Sequence, residues 1–133
     1  MKNILCYIVI FIILVCISLP LVSAEEPIVG PEAKTWLKSN KNEAAFAVNR
    51  FQTTKGAQTF VKRLYDLGAE KIVISPSAID DEGEDGGPYA DTLIVTLPKN
   101  PAKRKLLFQE HEKENEDGKV SDSGQIELVF WWD

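Results

Sequence analysis

The chain has 133 residues, with 15 Lys and Arg against 20 Asp and Glu, one histidine and two cysteines, for a net charge of −5. An acidic balance of this kind argues against nucleic acid and against an anionic membrane surface as primary partners. The length suits one ordinary domain.

Residues 1–24, MKNILCYIVIFIILVCISLPLVSA, place one cation (Lys2) before an apolar run and end on Val22-Ser23-Ala24. This is the layout of a secretory signal peptide, with cleavage expected after Ala24. If the segment stays uncleaved, its apolar run is nearly long enough to anchor the chain in a membrane. Cleavage leaves 109 of the 133 residues and takes Lys2, Cys6 and Cys16 with it, moving the charge from −5 to −6. The mature chain then has no thiol for a disulfide or a metal. An exported protein, periplasmic or extracellular, is the expectation.

Residues 25–43 form a lead-in, with Pro31 opening a short helix through Ala33, Trp36 and Leu37. The domain proper is expected over 44–133. AAFAVNRF (44–51) alternates and predicts a first strand. Thr53 or Thr54 can cap a helix with Ala57, Phe60, Val61, Leu64 and Leu67 on one face and Gly68 at its C-terminal cap. EKIVIS (70–75) predicts a second strand and DTLIVTLP (91–98) a third. Asn100 and Pro101 then start a second long helix, whose polar far end, from Gln109 to Lys119, is expected to be solvated or frayed. GQIELVFWWD predicts the fourth strand, with Ile126, Leu128, Phe130 and Trp132 on one face and Glu127, Val129 and Trp131 on the other.

The order β-α-β-β-α-β predicts an α+β fold of ferredoxin-like type. One antiparallel four-stranded sheet carries two helices on one face, and the last strand lies at an edge beside the first. In that arrangement Trp132 closes the end of the core. Val73, Ile94, Val129 and Trp131 make an apolar patch on the uncovered sheet face, suited to a protein partner or a homodimer. The alternative cover for that patch is the lead-in itself, with Ile28, Val29, Trp36 and Leu37.

Two charged clusters are secondary candidates. Asp80, Asp81, Glu82, Glu84 and Asp85 are expected at the same end as Asp117 and Asp122, where acidic loops could hold a weak calcium ion. The EF-hand spacing fails, since the third and twelfth positions from Asp81 are Gly83 and Thr92, and a solvated loop is the plainer reading. Lys99, Lys103, Arg104 and Lys105 gather at the start of the second long helix, where an anion would relieve their clash with the helix dipole. Solvated lysines are the plainer reading, since the dipole penalty at an exposed helix start is small.

HEKEN (111–115) lacks the second histidine of a zinc-protease helix, because Asn115 stands there. His111 is the one histidine of the chain and is expected at the surface, so no catalytic residue is assigned. Composition permits a carboxylate-based enzyme near Asp80–Asp85, but nothing in the spacing positions a pair.

The D-T-L-I-V-x-L-P strand at Asp91–Pro98, Pro101 with Arg104, Gly124-Gln125 and the ending Trp131 to Asp133 resemble a group of small uncharacterised bacterial proteins. The likeness covers about the last third of the chain, together with the helix-to-strand passage VKRLYDLGAEKI. It implies no activity. The expected role is a secreted or periplasmic, non-catalytic binding domain acting through the open sheet face. A calcium-responsive acidic-loop protein is the alternative.

Overall fold

Three side chains start the helices. Glu32 accepts from the Lys34 and Thr35 amides (3.1 and 2.8 Å) and opens α1, Ala33–Ser39. Thr53 accepts from Gly56 N (3.1 Å) and opens α3, Thr54–Asp66, after the single turn of α2, Val48–Phe51. Asn100 accepts from Ala102 N and Lys103 N (3.0 and 3.1 Å) and opens α4, Pro101–Glu114. Each cap satisfies amides that the first turn leaves without intrahelical partners. This computed structural model describes residues 26–82, 87–115 and 118–132. The expected signal peptide with its cleavage site, Glu84, Asp85 and Asp117 lie outside the described residues.

The strands are β1 (Lys71–Ile74), β2 (Thr92–Thr96) and β3 (Glu127–Trp131), in the order β1-β2-β3 with both pairings antiparallel. Register sets Lys71, Thr96 and Glu127 in one row, and Val73, Ile94 and Val129 in another. Alternation then puts Ile72, Ile74, Leu93, Val95, Leu97, Leu128, Phe130 and Trp132 on the inner face. There they pack with Ala57, Phe60, Val61 and Leu64 of α3. Ala33 and Leu37 of α1 are buried in the same core, so the end of the lead-in is part of the fold.

The fold is α+β, but it is not the four-stranded ferredoxin-like sheet expected. Residues 44–51 contribute one parallel bridge, Phe46 opposite Ala90, closed by Ala47 N to Ala90 O and Ala90 N to Ala45 O, both 2.9 Å. Ala47 then turns to φ 37° and the chain enters α2. The alternating pattern was carried by alanines, which give a strand little cross-strand packing. Phe46 and Phe51 instead face each other in the core with centroids 6.1 Å apart.

The last strand therefore lies beside β2, in the opposite direction to the one expected. α4 ends near the C-terminus, where Glu114 Oε2 accepts from Trp132 Nε1 (3.2 Å). The chain returns to the start of α4, where Arg104 donates to Asp122 Oδ2 (2.8 Å) and to Gln125 O (2.9 Å). From there β3 runs antiparallel to β2. The far end of α4 is not loose either. Glu110 and His111 are buried, Glu110 beneath Arg63 (2.7 Å) and Lys113 (3.0 Å).

Trp132 does close the core. It meets Phe46, Phe51 and Phe60 edge to face at 5.6, 5.1 and 5.6 Å and stacks on Phe130 at 5.9 Å. Such edge-to-face contacts suit the ring quadrupoles.

Candidate functional site

β3 supplies the exposed apolar surface. Its inner residues Leu128 and Phe130 are buried, whereas Val129 is 48% and Trp131 54% exposed on the face that α3 does not cover. The other two residues of the expected patch are not available. Val73 is 2% and Ile94 3% exposed, although they share the Val129 row. The lead-in covers them. Ile28 N donates to Glu127 Oε1 (2.9 Å) on the β3 side of the open face, and three residues later Pro31 O accepts from Ile74 N (2.9 Å) at the far edge of β1. The chain between them crosses the sheet, and Glu32 makes a bridge to Val73. The patch is thus reduced to a strip, Val129 and Trp131, bordering the outer edge of β3.

The two edges of the sheet differ. At β1 the outward Ile72 amide donates to Tyr65 Oη (3.1 Å), which itself donates to Glu32 Oε1 (2.7 Å). Burial, then the facing Glu32 carboxylate, push the Tyr65 hydroxyl up to about 12, so it stays protonated and keeps that bond. With Ile74 N on Pro31 O, the β1 edge is closed by the chain. At β3, His111 Nε2 lies 2.8 Å from Val129 O. The ring is 4% exposed and meets Phe130 edge to face at 4.8 Å. This corrects the surface placement expected for His111. The missed signal was its spacing of four residues from Leu107, on the inward stripe of α4.

Among the described residues the acidic candidates do not converge. Asp80 pairs with Tyr89 through two 2.8 Å backbone bonds, beyond the Ile74–Leu93–Phe130 end of the sheet. Asp122 is held by Arg104 at the opposite end, beside the first residues of β3. Antiparallel pairing of β3 with β2 is the reason, because it carries the turn before β3 to the other end. No group of three or more His, Cys, Asp or Glu side chains suited to a metal is present among the described residues.

Among the basic candidates, Arg104 is committed to Asp122 and to the carbonyls of Pro98 and Gln125 (3.3 and 2.9 Å). The Lys103 stem lies against Gly68. Lys99 and Lys105 are exposed, and the amides at the start of α4 are taken by Asn100.

No helix among the described residues is long and apolar enough to cross a membrane. No family model, curated protein or solved structure matches this chain.

Proposed function

We propose that this is an exported, non-catalytic binding domain that engages another protein through the strip formed by Val129 and Trp131. The observation that carries the reading is an exposed tryptophan on a rigid strand. Trp131 is more than half exposed, while its neighbours Phe130 and Trp132, and Leu128 before them, are locked in the core. Tryptophan is enriched among residues that dominate interface energetics. A side chain on a packed strand also loses little conformational freedom on binding. Export rests on residues 1–24, whose charge, apolar run and Val-Ser-Ala ending fit a cleaved signal.

Photo-cross-linking in the expressing cells tests the reading, with the reactive residue at position 131 and, as control, at the exposed Glu112 on α4. A discrete adduct from 131 that is absent from 112 supports it. Equal patterns from the two positions, or none from 131, end it. Intact mass of the recovered protein settles export separately, since cleavage after Ala24 leaves a chain beginning at Glu25.

A further inference from the structure

The β3 edge carries unpaired peptide groups, and these specify a partner more narrowly than an apolar strip does. Ile126 O and Trp132 N bond towards β2, to Leu97 N (2.8 Å) and Asp91 O (3.2 Å). In an antiparallel ladder the backbone groups alternate in direction, so Glu127, Val129 and Trp131 turn theirs outward. Among the described residues, the Val129 carbonyl is the outward group that meets a partner, His111 Nε2. A carbonyl oxygen has a second lone pair, so this bond does not block the edge. Such a row is a template for another strand.

Building on the binding role proposed above, we infer that the β3 edge takes an extended basic peptide segment as a fourth strand. Its peptide groups pair with those of Glu127, Val129 and Trp131, and a lysine or arginine stands opposite Glu127. Apolar side chains on the same face of the segment extend the Val73–Ile94–Val129 row and cover Trp131.

Charge selects this occupant. The chain carries −5, and Glu127 is the one ionisable side chain of β3, with its Oε1 engaged by the neutral Ile28 amide. A cation directly across a strand pair contributes roughly 0.2–1 kcal/mol, and like charges oppose pairing. A second copy would bring another acidic chain, and no residue of its β3 is basic. Size points the same way. β3 has five residues, whereas a stable protein–protein interface uses about 20–30 residues a side. Strand addition of a peptide draws its affinity from main-chain bonds and a few side-chain contacts.

The test is amide hydrogen exchange on the full chain, titrated with a blocked peptide whose one face reads lysine, valine, valine at alternate positions with threonine between them and, separately, with the same peptide carrying glutamate in place of the lysine. With the lysine peptide at saturation, exchange at Glu127, Val129 and Trp131 slows at least ~10-fold, the protection expected of newly paired amides. Leu128 and Phe130, already bonded to β2, do not change. The glutamate peptide binds several-fold more weakly, and Glu127→Gln narrows that difference. If the lysine peptide shifts the Trp131 indole but leaves the three amides unprotected, the partner sits on the face. Strand addition then fails while the binding strip stands. Protection that rises with protein concentration in the absence of peptide gives the edge to a second copy and overturns the proposal. No response at the indole or the amides to either peptide overturns it too.

Discussion

His111 and Val129 are joined across the last layer of the fold, with the imidazole Nε2 2.8 Å from the Val129 carbonyl oxygen. Burial pushes the His111 pKa below its ordinary value, and the bond to Val129 offsets part of that shift. The nearby carboxylates are already paired, Glu110 with Arg63 and Glu114 with Arg50. A histidine with a lowered folded-state pKa favours the fold when neutral. Its contribution is present above about pH 6.5, the unfolded value, and is lost as pH falls through the folded value. The urea midpoint should therefore drop between pH 7 and pH 5, and His111→Gln should flatten that drop. An equal pH dependence in the two proteins would show that His111 is not the group responsible.

The inner and outer faces of the three strands were legible because successive side chains of a strand point to opposite faces, although burial alternates with them in β3 and not in β1 or β2. α3 was legible for the same kind of reason, from its apolar stripe and a cap at Thr53 or Thr54, of which the structure uses Thr53. The first strand was not. Alanines at 44, 45 and 47 satisfy an alternating pattern without supplying the side-chain contacts that hold a strand in a sheet. Nor was the direction of β3, whose entry turn is held by Arg104 on Asp122, eighteen residues away, a pairing that leaves no periodic trace. The strip at Val129 and Trp131 could be read from alternation, but its separation from Val73 and Ile94 could not. That depends on how the lead-in crosses the sheet.

Trp132 is the residue whose loss should cost most. It contacts four aromatic rings and donates to Glu114. Trp132→Ala should lower unfolding stability by about 3–5 kcal/mol, the range for truncating a large buried aromatic side chain. Trp131→Ser, one residue away but on the opposite, exposed face, should stay within about 0.5 kcal/mol. Urea denaturation of both variants checks the contrast. Similar losses would mean that Trp131 is buried in solution.

Gly68 ends α3 with φ 109°, a conformation that L-residues rarely adopt. A methyl group there would also meet the Lys103 stem, whose Cδ would lie 2.6 Å away. The lysine is flexible and can rotate clear, so backbone strain dominates. Gly68→Ala should cost about 1–2 kcal/mol. Gly118 has no atom within 4 Å of the corresponding position, and Gly118→Ala should be neutral within about 0.5 kcal/mol. Thermal or urea unfolding of the two variants separates strain from a general intolerance of added bulk.

The Arg104–Asp122 pair bears on the path of the chain. Arg104 donates through Nε to Asp122 Oδ2 (2.8 Å) and through Nη2 to Oδ1 (2.5 Å), while also reaching Gln125 O (2.9 Å). The guanidinium hydrogen bonds, followed by the Gly124 amide, hold the Asp122 carboxyl down to about 2. A lowered carboxyl pKa means that its stabilising effect is present above about pH 4, the unfolded value, and fades as pH falls towards 2. An NMR titration should find the Asp122 midpoint near 2, and Arg104→Gln should return it towards the ordinary carboxylate range. The same variant should speed amide exchange at Leu97, which donates to Ile126 O, and at Leu128 more than at Phe130, because the turn that delivers the chain into β3 loses its clamp. Uniform acceleration along β3 would assign Arg104 a global role in stability. No acceleration at all would show that pairing with β2 holds the start of the strand without the clamp.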